Sequence, residues 1–169
     1  MDFLRNRSVY DKTIMGLAAL GTGFMSYLTY LHFESDGGTI CDFGAGFSCQ
    51  IVNQSLYSEI LGVPVAVLGL TYFIAMFAVA ATRTKWADEI IQLCAIASLV
   101  FSFYLSGIEY RVLATICIFC ELSKVLMLCI FLASYRGARA NGLVIKARYF
   151  AAALLGGAGF TLFAAMLHF

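Results

Sequence analysis

Four of the six cysteines stand in two pairs whose spacing suits thiol–disulfide exchange. Cys41 and Cys49 close the glycine-rich stretch CDFGAGFSC, and Cys117 and Cys120 form the C-x-x-C of CIFC. A C-x-x-C at the start of a helix places its two sulfurs about one turn apart, within reach of a disulfide bond. The positive end of the helix dipole also stabilises a thiolate there. Thiol–disulfide oxidoreductases share these features, so we expect both pairs to be redox-active.

A zinc site and a set of purely structural disulfides are the competing interpretations of these cysteines. Zinc is disfavoured because Cys41 and Cys49 do not form a second short C-x-x-C, and neither histidine lies near a pair. A structural Cys117–Cys120 bond is disfavoured because a bridge within one helical turn closes too short a loop to stabilise the fold appreciably. We therefore expect redox exchange and no metal.

Five long apolar segments must position the cysteines. The chain has 169 residues, of which 62% are hydrophobic and 12% charged, a composition unlike that of soluble domains. A membrane-spanning helix needs about 20 mostly apolar residues, and the sequence offers five such spans at roughly 14–33, 64–82, 88–107, 112–135 and 147–168. We predict an all-α integral membrane protein, one membrane domain over residues 1–169, with a long outer loop at 34–63. The net charge of +1 gives no reason to expect a nucleic-acid partner.

The basic residues predict the orientation of the spans. Nine of the eleven Lys and Arg residues lie before the first span or in the connections after the second and fourth spans, whereas the outer loop has none. By the positive-inside rule the N-terminus is cytoplasmic and the C-terminus outside. A cleaved signal peptide is disfavoured because the first apolar run is long and lacks a small-residue cleavage site. Both cysteine pairs then face the extracytoplasmic side of the cell (inner) membrane, where disulfides persist.

The second half of the outer loop, NQSLYSEILG, predicts a short helix. Leu56, Ile60 and Leu61 recur at helical spacing among polar residues, which is typical of a helix that lies along the membrane interface. Gly62 would end this helix. Pro64 would open the second span, because proline is tolerated in the first turn of a helix.

One face of the fourth span carries ionisable residues next to the C-x-x-C. Cys117, Cys120, Glu121 and Lys124 follow one another at i, i+3, i+4 and i+7 and therefore share a helix face. Ionisable residues in an apolar span indicate a functional site, but an i, i+3 ion pair with a snorkelling lysine explains them equally well. On the functional interpretation this face looks into the bundle, where an oxidant sits against Cys120. A lipid-soluble quinone accepts the two electrons and two protons that a dithiol releases.

Other small residues of the later spans are typical of helix packing. Cys94 and Cys129 stand alone in apolar surroundings, and we expect them to be small buried hydrophobic residues. The GGAG of residues 156–159 lets two membrane helices approach closely. Ordinary packing and an interface with a specific partner both remain open for this segment.

Three motifs together resemble the bacterial or archaeal branch of the vitamin K epoxide reductase family. They are C-x7-C in the outer loop, VNQSLYSEILGVPVAVLG after it, and CIFC at the opening of a late helix. The resemblance covers residues 41 to about 125, and the layout of spans agrees over most of the chain. It implies a four-helix bundle around a quinone, ubiquinone or menaquinone, with a fifth transmembrane helix. In many bacterial members that helix leads to an extracytoplasmic thioredoxin-like domain, so we expect a thioredoxin-fold partner in trans or in a domain absent from this chain.

The resemblance also implies an order of electron transfer. Cys41 would exchange with the partner, Cys49 would pass electrons to Cys117, and Cys120 would face the quinone. Ser55 matches a serine or threonine near the family's active site.

The ionisable pair of the fourth span joins Ser55 as candidate quinone-binding residues. Lys124 stands where the vertebrate enzymes carry a tyrosine that contacts the substrate, and Glu121 precedes it by three residues. Here the chain departs from the vertebrate pattern.

The sequence therefore predicts a quinone-dependent thiol oxidase that generates disulfide bonds in its partner. A separate bacterial family of four-helix, quinone-dependent thiol oxidases is disfavoured because it places C-x-x-C first along the chain. The alternative of a different class is a non-catalytic membrane subunit or binding module with structural disulfides. Thiols that appear with reductant and disappear on addition of quinone would distinguish the oxidase from such a subunit.

Overall fold

The chain folds almost entirely into helices. A computed structural model describes residues 2–34, 40–42, 46–82, 84, 86–140 and 147–168. Within them lie the helices α1 (Asp2–Phe33), α2 (Cys49–Asn53), α3 (Val65–Thr82), α4 (Ala87–Ile108), α5 (Ile118–Ala140) and α6 (Ala147–His168). Strands β1 (Glu59–Ile60) and β2 (Val63–Pro64) form an antiparallel hairpin in the outer loop. Arg83, Lys85 and Lys146, which contribute to the predicted orientation, lie outside the described residues, as do residues 35–39 and 43–45 of the predicted outer loop.

Among the described residues, five helices are long and apolar enough to cross a membrane. Their apolar windows have mean hydropathies between 1.3 and 2.1, and they cover Val9–Phe33, Val65–Thr82, Ala87–Leu113, Ile118–Ala140 and Phe150–Leu167. The prediction of an all-α integral membrane protein is confirmed.

Four of these helices enclose a core, and the fifth packs against one of them. α1 packs along α3 and α5, and α4 completes the ring against α5 and, with fewer contacts, α3. Leu28 of α1, Phe73 of α3 and Ile130 of α5 are fully buried at the centre. α6 lies along α4.

The connection between α4 and α5 begins and ends later than the predicted boundaries at 107 and 112. The chain continues from α4 into a π-helical turn, Glu109–Leu113, and leaves it at Ala114, which has φ 49°. α5 starts at Ile118, directly after Cys117. Because Val112 and Leu113 are as apolar as the preceding span, hydropathy alone does not mark where the α-helix ends. π-helical turns of this kind are frequent at functional sites.

The predicted interfacial helix over residues 53–62 is wrong. α2 already ends at Asn53, a 3-10 turn covers Leu56–Ser58, and the β-hairpin follows. Leu61 and Gly62, at the tip of the hairpin, have φ values of 54° and 78°. Two consecutive central residues with positive φ are what a tight two-residue hairpin turn requires. Gly62 thus provides a hairpin turn instead of a helix end.

Candidate active site

The loop cysteines Cys41 and Cys49 form a disulfide bond. Their Cα atoms are 5.6 Å apart, within the ordinary range for a disulfide. α2 begins at Cys49, and Ser48 caps it by accepting a hydrogen bond from the N–H of Ile51 at 3.2 Å. Cys41 is 1% exposed and Cys49 is 0% exposed, so this disulfide is shielded from solvent although it belongs to the loop.

A short backbone clamp brings this loop to the start of α5. The N–H of Ser48 donates to the carbonyl of Ile116 at 3.2 Å, and the N–H of Ile116 donates to the carbonyl of Gly46 at 3.0 Å. Cys49 directly follows Ser48, and Cys117 directly follows Ile116. A backbone pairing thus holds the two cysteine pairs in register.

The clamp places Cys117 against the loop disulfide. The Sγ atom of Cys117 lies 3.3 Å from the Sγ atom of Cys49, and the three sulfurs of Cys41, Cys49 and Cys117 lie within 4.8 Å of one another. Cys117 is a free thiol and is fully buried. A zinc site needs thiolate ligands, whereas two of these sulfurs share a covalent bond. The geometry suits attack of a thiolate on a disulfide.

Cys120, the second cysteine of the C-x-x-C, faces a cavity. Its N–H donates a hydrogen bond to the Sγ atom of Cys117 at 3.3 Å, as expected at the N-terminus of a helix. Cys120 is a free, partly buried thiol, and it lines a cavity of about 310 Å³. Cys117 therefore contacts the loop disulfide, and Cys120 contacts the cavity.

Glu109 fixes the segment that delivers Cys117, and the sequence analysis missed it. Its Oε2 atom accepts the N–H of Cys117 at 2.9 Å, and its main-chain carbonyl accepts the N–H groups of Ala114 and Thr115. The residue is only 4% exposed. A carboxylate at the end of an apolar span would have indicated this role, but the predicted span ended at 107 and left Glu109 in a loop.

Glu121 and Lys124 form a partly buried polar network with Ser106 of α4. Lys124 Nζ donates to Glu121 Oε1 at 2.7 Å and also contacts the Ser106 hydroxyl, which in turn donates to Glu121 Oε1 at 2.5 Å. Nζ also lies 5.4 Å from the centre of the Phe103 ring. The i, i+3 ion pair of the sequence analysis thus exists. It does not exclude a functional role, because Lys124 is only 8% exposed and its side chain lines the cavity beside Cys120.

The two remaining candidate quinone-binding residues lie in different places. Ser55 lines the cavity, with its hydroxyl donating to the carbonyl of Val52 at 2.8 Å. Glu121 borders a second cavity, which it shares with Ser106 and Glu109. Direct contact of Glu121 with a quinone stays a prediction.

The main cavity is lined mostly by apolar side chains and by a few polar groups. Small-molecule sites are concave, largely apolar and provided with a few polar groups that fix orientation. Lys124 contacts Ser106, Glu109 accepts the N–H of Cys117, and all three line the cavity together with Cys120. Further hydroxyl groups, such as that of Tyr72, also line it, and the rest of its wall is mainly apolar. The residues present therefore fit a ligand with a polar head and an apolar remainder.

Cys94 and Cys129 take no part in this cluster. Both thiols are free; Cys129 is partly buried, and Cys94 is exposed on α4, contrary to the expectation of burial. Neither lies in the group of three neighbouring sulfurs.

One comparison with known proteins identifies the family. The model of the Vitamin K epoxide reductase family matches residues 12–135, about three quarters of the chain, and this chain belongs to that family. The match includes both cysteine pairs and ends before α6. The family carries out quinone-linked thiol redox chemistry in membranes, generally with thioredoxin-like partners, and membership implies that class of chemistry for this oxidoreductase.

Proposed function

We propose that this member of the vitamin K epoxide reductase family is a quinone-dependent thiol oxidase that generates disulfide bonds in a thioredoxin-fold partner. One observation carries the proposal: the free Cys117 Sγ lies 3.3 Å from Cys49 Sγ, which is bonded to Cys41. Thiol–disulfide exchange proceeds through attack of a thiolate on a disulfide sulfur, and these two sulfurs are already in contact. A set of structural disulfides would have no use for a third thiol at this position.

The outer exchange transfers two electrons from the partner to the loop. A partner thiolate attacks Cys41, the Cys41–Cys49 bond breaks, and Cys49 leaves as a thiolate. The partner's second thiol then attacks its own sulfur in the mixed disulfide, which releases Cys41 and leaves the partner oxidised. Because Cys41 is 1% exposed, docking of the partner must displace the chain around it, and its neighbours Ile40 and Asp42 are exposed on either side.

The inner exchange transfers the same two electrons to the C-x-x-C. The Cys49 thiolate attacks Cys117 of a Cys117–Cys120 disulfide, and Cys120 leaves as a thiolate. Cys41 then attacks Cys49, which restores the loop disulfide and releases Cys117. The arrangement described above, with a loop disulfide beside two free thiols, corresponds to the end of this exchange. The N–H of Cys120, 3.3 Å from Cys117 Sγ, accommodates the negative charge that develops there.

The cavity beside Cys120 completes the proposal. A bound quinone supplies an acceptor for the two electrons and two protons of the C-x-x-C dithiol. Cys120 presents its thiol to the cavity, and Lys124 Nζ and the Ser55 side chain offer polar contacts to the quinone head. Glu109 keeps Cys117 in place through its backbone N–H while the bonds of Cys117 change.

The direction of the reaction follows from the proposed orientation. With the N-terminus cytoplasmic, the clamp and both cysteine pairs lie at the extracytoplasmic edge of the membrane, where partner proteins are oxidised. The partner is a thioredoxin-fold protein in trans or a domain outside this chain. The quinone is the ubiquinone or menaquinone of the membrane.

Counting thiols in the purified protein tests the proposal. Full reduction should expose all six cysteines, and a quinone should then remove four thiols, leaving Cys94 and Cys129. A reduced thioredoxin-fold protein should be oxidised catalytically in the same mixture, and Cys120→Ser should abolish that turnover. Thiols that persist after addition of quinone would support a non-catalytic membrane subunit with structural disulfides instead.

A further inference from the structure

α6 contributes to the wall of the main cavity, although it lies beyond the residues matched by the family model. That match ends at residue 135, whereas Gly156, Gly157 and Phe160 line the same cavity as Cys120. This chain therefore adds a wall that the matched region does not contain.

The glycines of α6 lie far from the end of the cavity that Lys124 lines. Ser106, which contacts Lys124, marks the polar end of the cavity on α4, and Ala97 of α4 lines the cavity beside α6. These two residues are nine positions apart, or about 14 Å along the helix axis at 1.5 Å per residue. Serine hydroxyls of α4 and the buried hydroxyl of Tyr72 on α3 also line the cavity, whereas the residues that α6 contributes, Gly156, Gly157 and Phe160, offer no polar side chain. A ligand with its head at Cys120 therefore presents an apolar extension to α6.

Two glycines shape this wall in different ways. A Cβ atom on Gly157 would lie 3.0 Å from Ala97 Cα and 3.1 Å from the Ala97 carbonyl oxygen, so glycine is what allows α6 to pack directly on the α4 backbone. A Cβ atom on Gly156 would meet nothing within 4 Å, and Gly156 lines the cavity. The first glycine brings the helices together, and the second leaves space open.

An aromatic pair completes this end. The rings of Phe160 and Phe101 lie edge to face, with centroids 5.1 Å apart, and both residues line the cavity. Such a pair holds a flat apolar surface in a fixed orientation. The GGAG segment thus has a local packing role, and it also borders a ligand-sized space.

We propose that α6 forms the binding wall for the isoprenoid tail of the quinone, with Gly156 leaving room for the tail and Phe160 packing against it. This inference rests on the proposed function and deepens it, because it names the class of acceptor: a quinone whose tail is recognised, not only its head. Under the proposed function, Cys120 and Lys124 contact the quinone head. Selectivity among tails is assigned to α6.

Two quinones with the same head test this assignment, one carrying a short isoprenoid tail and the other a methyl group in its place. Binding to the purified protein is measured as the rise in thermal unfolding temperature with added quinone, and the KM for each quinone provides a second readout. Gly156→Leu places a side chain in the tail's space. It should weaken binding of the tailed quinone by about tenfold or more and leave the tailless one within about twofold. Phe160→Ala should reduce the preference for the tailed quinone in the same direction.

Gly159→Leu is the matched control. Gly159 also has nothing within 4 Å of its would-be Cβ atom, but it is not among the residues that line the cavity, so this variant should bind both quinones as the wild type does. If Gly156→Leu weakens the binding of both quinones equally, the variant distorts the bundle in general and the proposal is overturned. Unchanged binding of the tailed quinone would also overturn it. If the wild type neither binds nor reduces either quinone, the proposed function itself fails, and the inference fails with it.

Discussion

The Sγ atom of Cys117 lies 3.3 Å from the Sγ atom of Cys49 while Cys49 is still bonded to Cys41. The two cysteines are 68 positions apart along the chain, and the hydrogen bonds of Ile116 with Ser48 and Gly46 hold their backbones together. Fixing two reacting atoms in contact removes most of the entropic cost of bringing them together. Under the proposed relay, the inner exchange is therefore pre-organised, and access of the partner to the buried Cys41 is the step that requires rearrangement.

The first prediction is that Cys120→Ser traps a disulfide between the two cysteine pairs. Without Cys120, no thiol of the C-x-x-C can attack Cys117 in the Cys49–Cys117 bond, and only the displaced Cys41 can reverse the exchange by attacking Cys49, so part of the oxidised variant should retain this bond. Mass spectrometry of peptides from the oxidised variant should find the Cys49–Cys117 linkage. Cys129→Ala, which changes a thiol outside the sulfur cluster, should show none of it. Finding only Cys41–Cys49 in Cys120→Ser would show that the proposed order of exchange is wrong.

The second prediction concerns the orientation in the membrane. The native loop cysteines are buried and joined in a disulfide, so they cannot react with a thiol reagent. Cysteines introduced at exposed positions are better probes of the orientation. In a Cys94→Ala, Cys129→Ala background, Leu56→Cys, at a site 88% exposed in the outer loop, should react with a membrane-impermeant thiol reagent in intact cells. Thr84→Cys, exposed between α3 and α4, should react only after lysis. The reverse pattern would place both cysteine pairs in the cytoplasm and contradict the proposed direction of electron flow.

Hydropathy and cysteine spacing predict much of this molecule because both depend on local chain properties. The five spans follow from the length of the apolar runs. The closeness of Cys117 and Cys120 follows from helix geometry, because a C-x-x-C at a helix start places its sulfurs about one turn apart. The hairpin at Leu61 and Gly62 was missed because apolar residues at helical spacing also fit a turn flanked by short strands. The role of Glu109 was missed because the predicted span ended at 107 and left Glu109 in a loop, whereas a π-helical turn continues the helix and brings its carboxylate to the N–H of Cys117.

The third prediction is that Glu109 positions Cys117 through its role as hydrogen-bond acceptor. Glu109→Ala leaves the buried N–H of Cys117 without its partner, which should cost about 1–3 kcal/mol in the free energy of unfolding. It should also lower the yield of Cys49–Cys117 in the Cys120→Ser background. Glu109→Gln retains a side-chain oxygen that accepts this N–H and should restore the yield. The measurements are thermal unfolding and the mass-spectrometric yield of the trapped disulfide.

Glu89→Ala provides the control for this experiment. Glu89 lies in the first turn of α4, at the opposite end of the helix from Glu109, and its loss should leave the trapping yield unchanged. If Glu109→Ala traps as efficiently as Glu109→Gln, the hydrogen bond to Cys117 does not position the sulfur, and Glu109 serves only to end the helix.

The last prediction concerns Lys124, which forms an ion pair with Glu121 and also lines the cavity. Lys124→Met retains an apolar side chain of similar length but removes the charge and the donors. Losing one hydrogen bond from a charged donor costs roughly 1.5–3 kcal/mol, so the KM for quinone should rise about tenfold or more. Reduction of the Cys41–Cys49 bond by a thioredoxin-fold protein should continue at the normal rate, since Lys124 lies on the cavity side of the C-x-x-C.

The partner Glu121 provides the decisive comparison for Lys124. Lys124→Met leaves the Glu121 carboxylate without its cation, and this alone could impair the site by placing an uncompensated charge near Cys120. In a Glu121→Gln background that charge is absent, so a persistent loss of quinone affinity on adding Lys124→Met would assign the effect to the lost donor. If the double variant instead uses quinone as well as Glu121→Gln alone, Lys124 only neutralises Glu121 and makes no contact with the acceptor. We expect the loss to persist, because Lys124 Nζ has three donors and Glu121 and Ser106 accept only two of them.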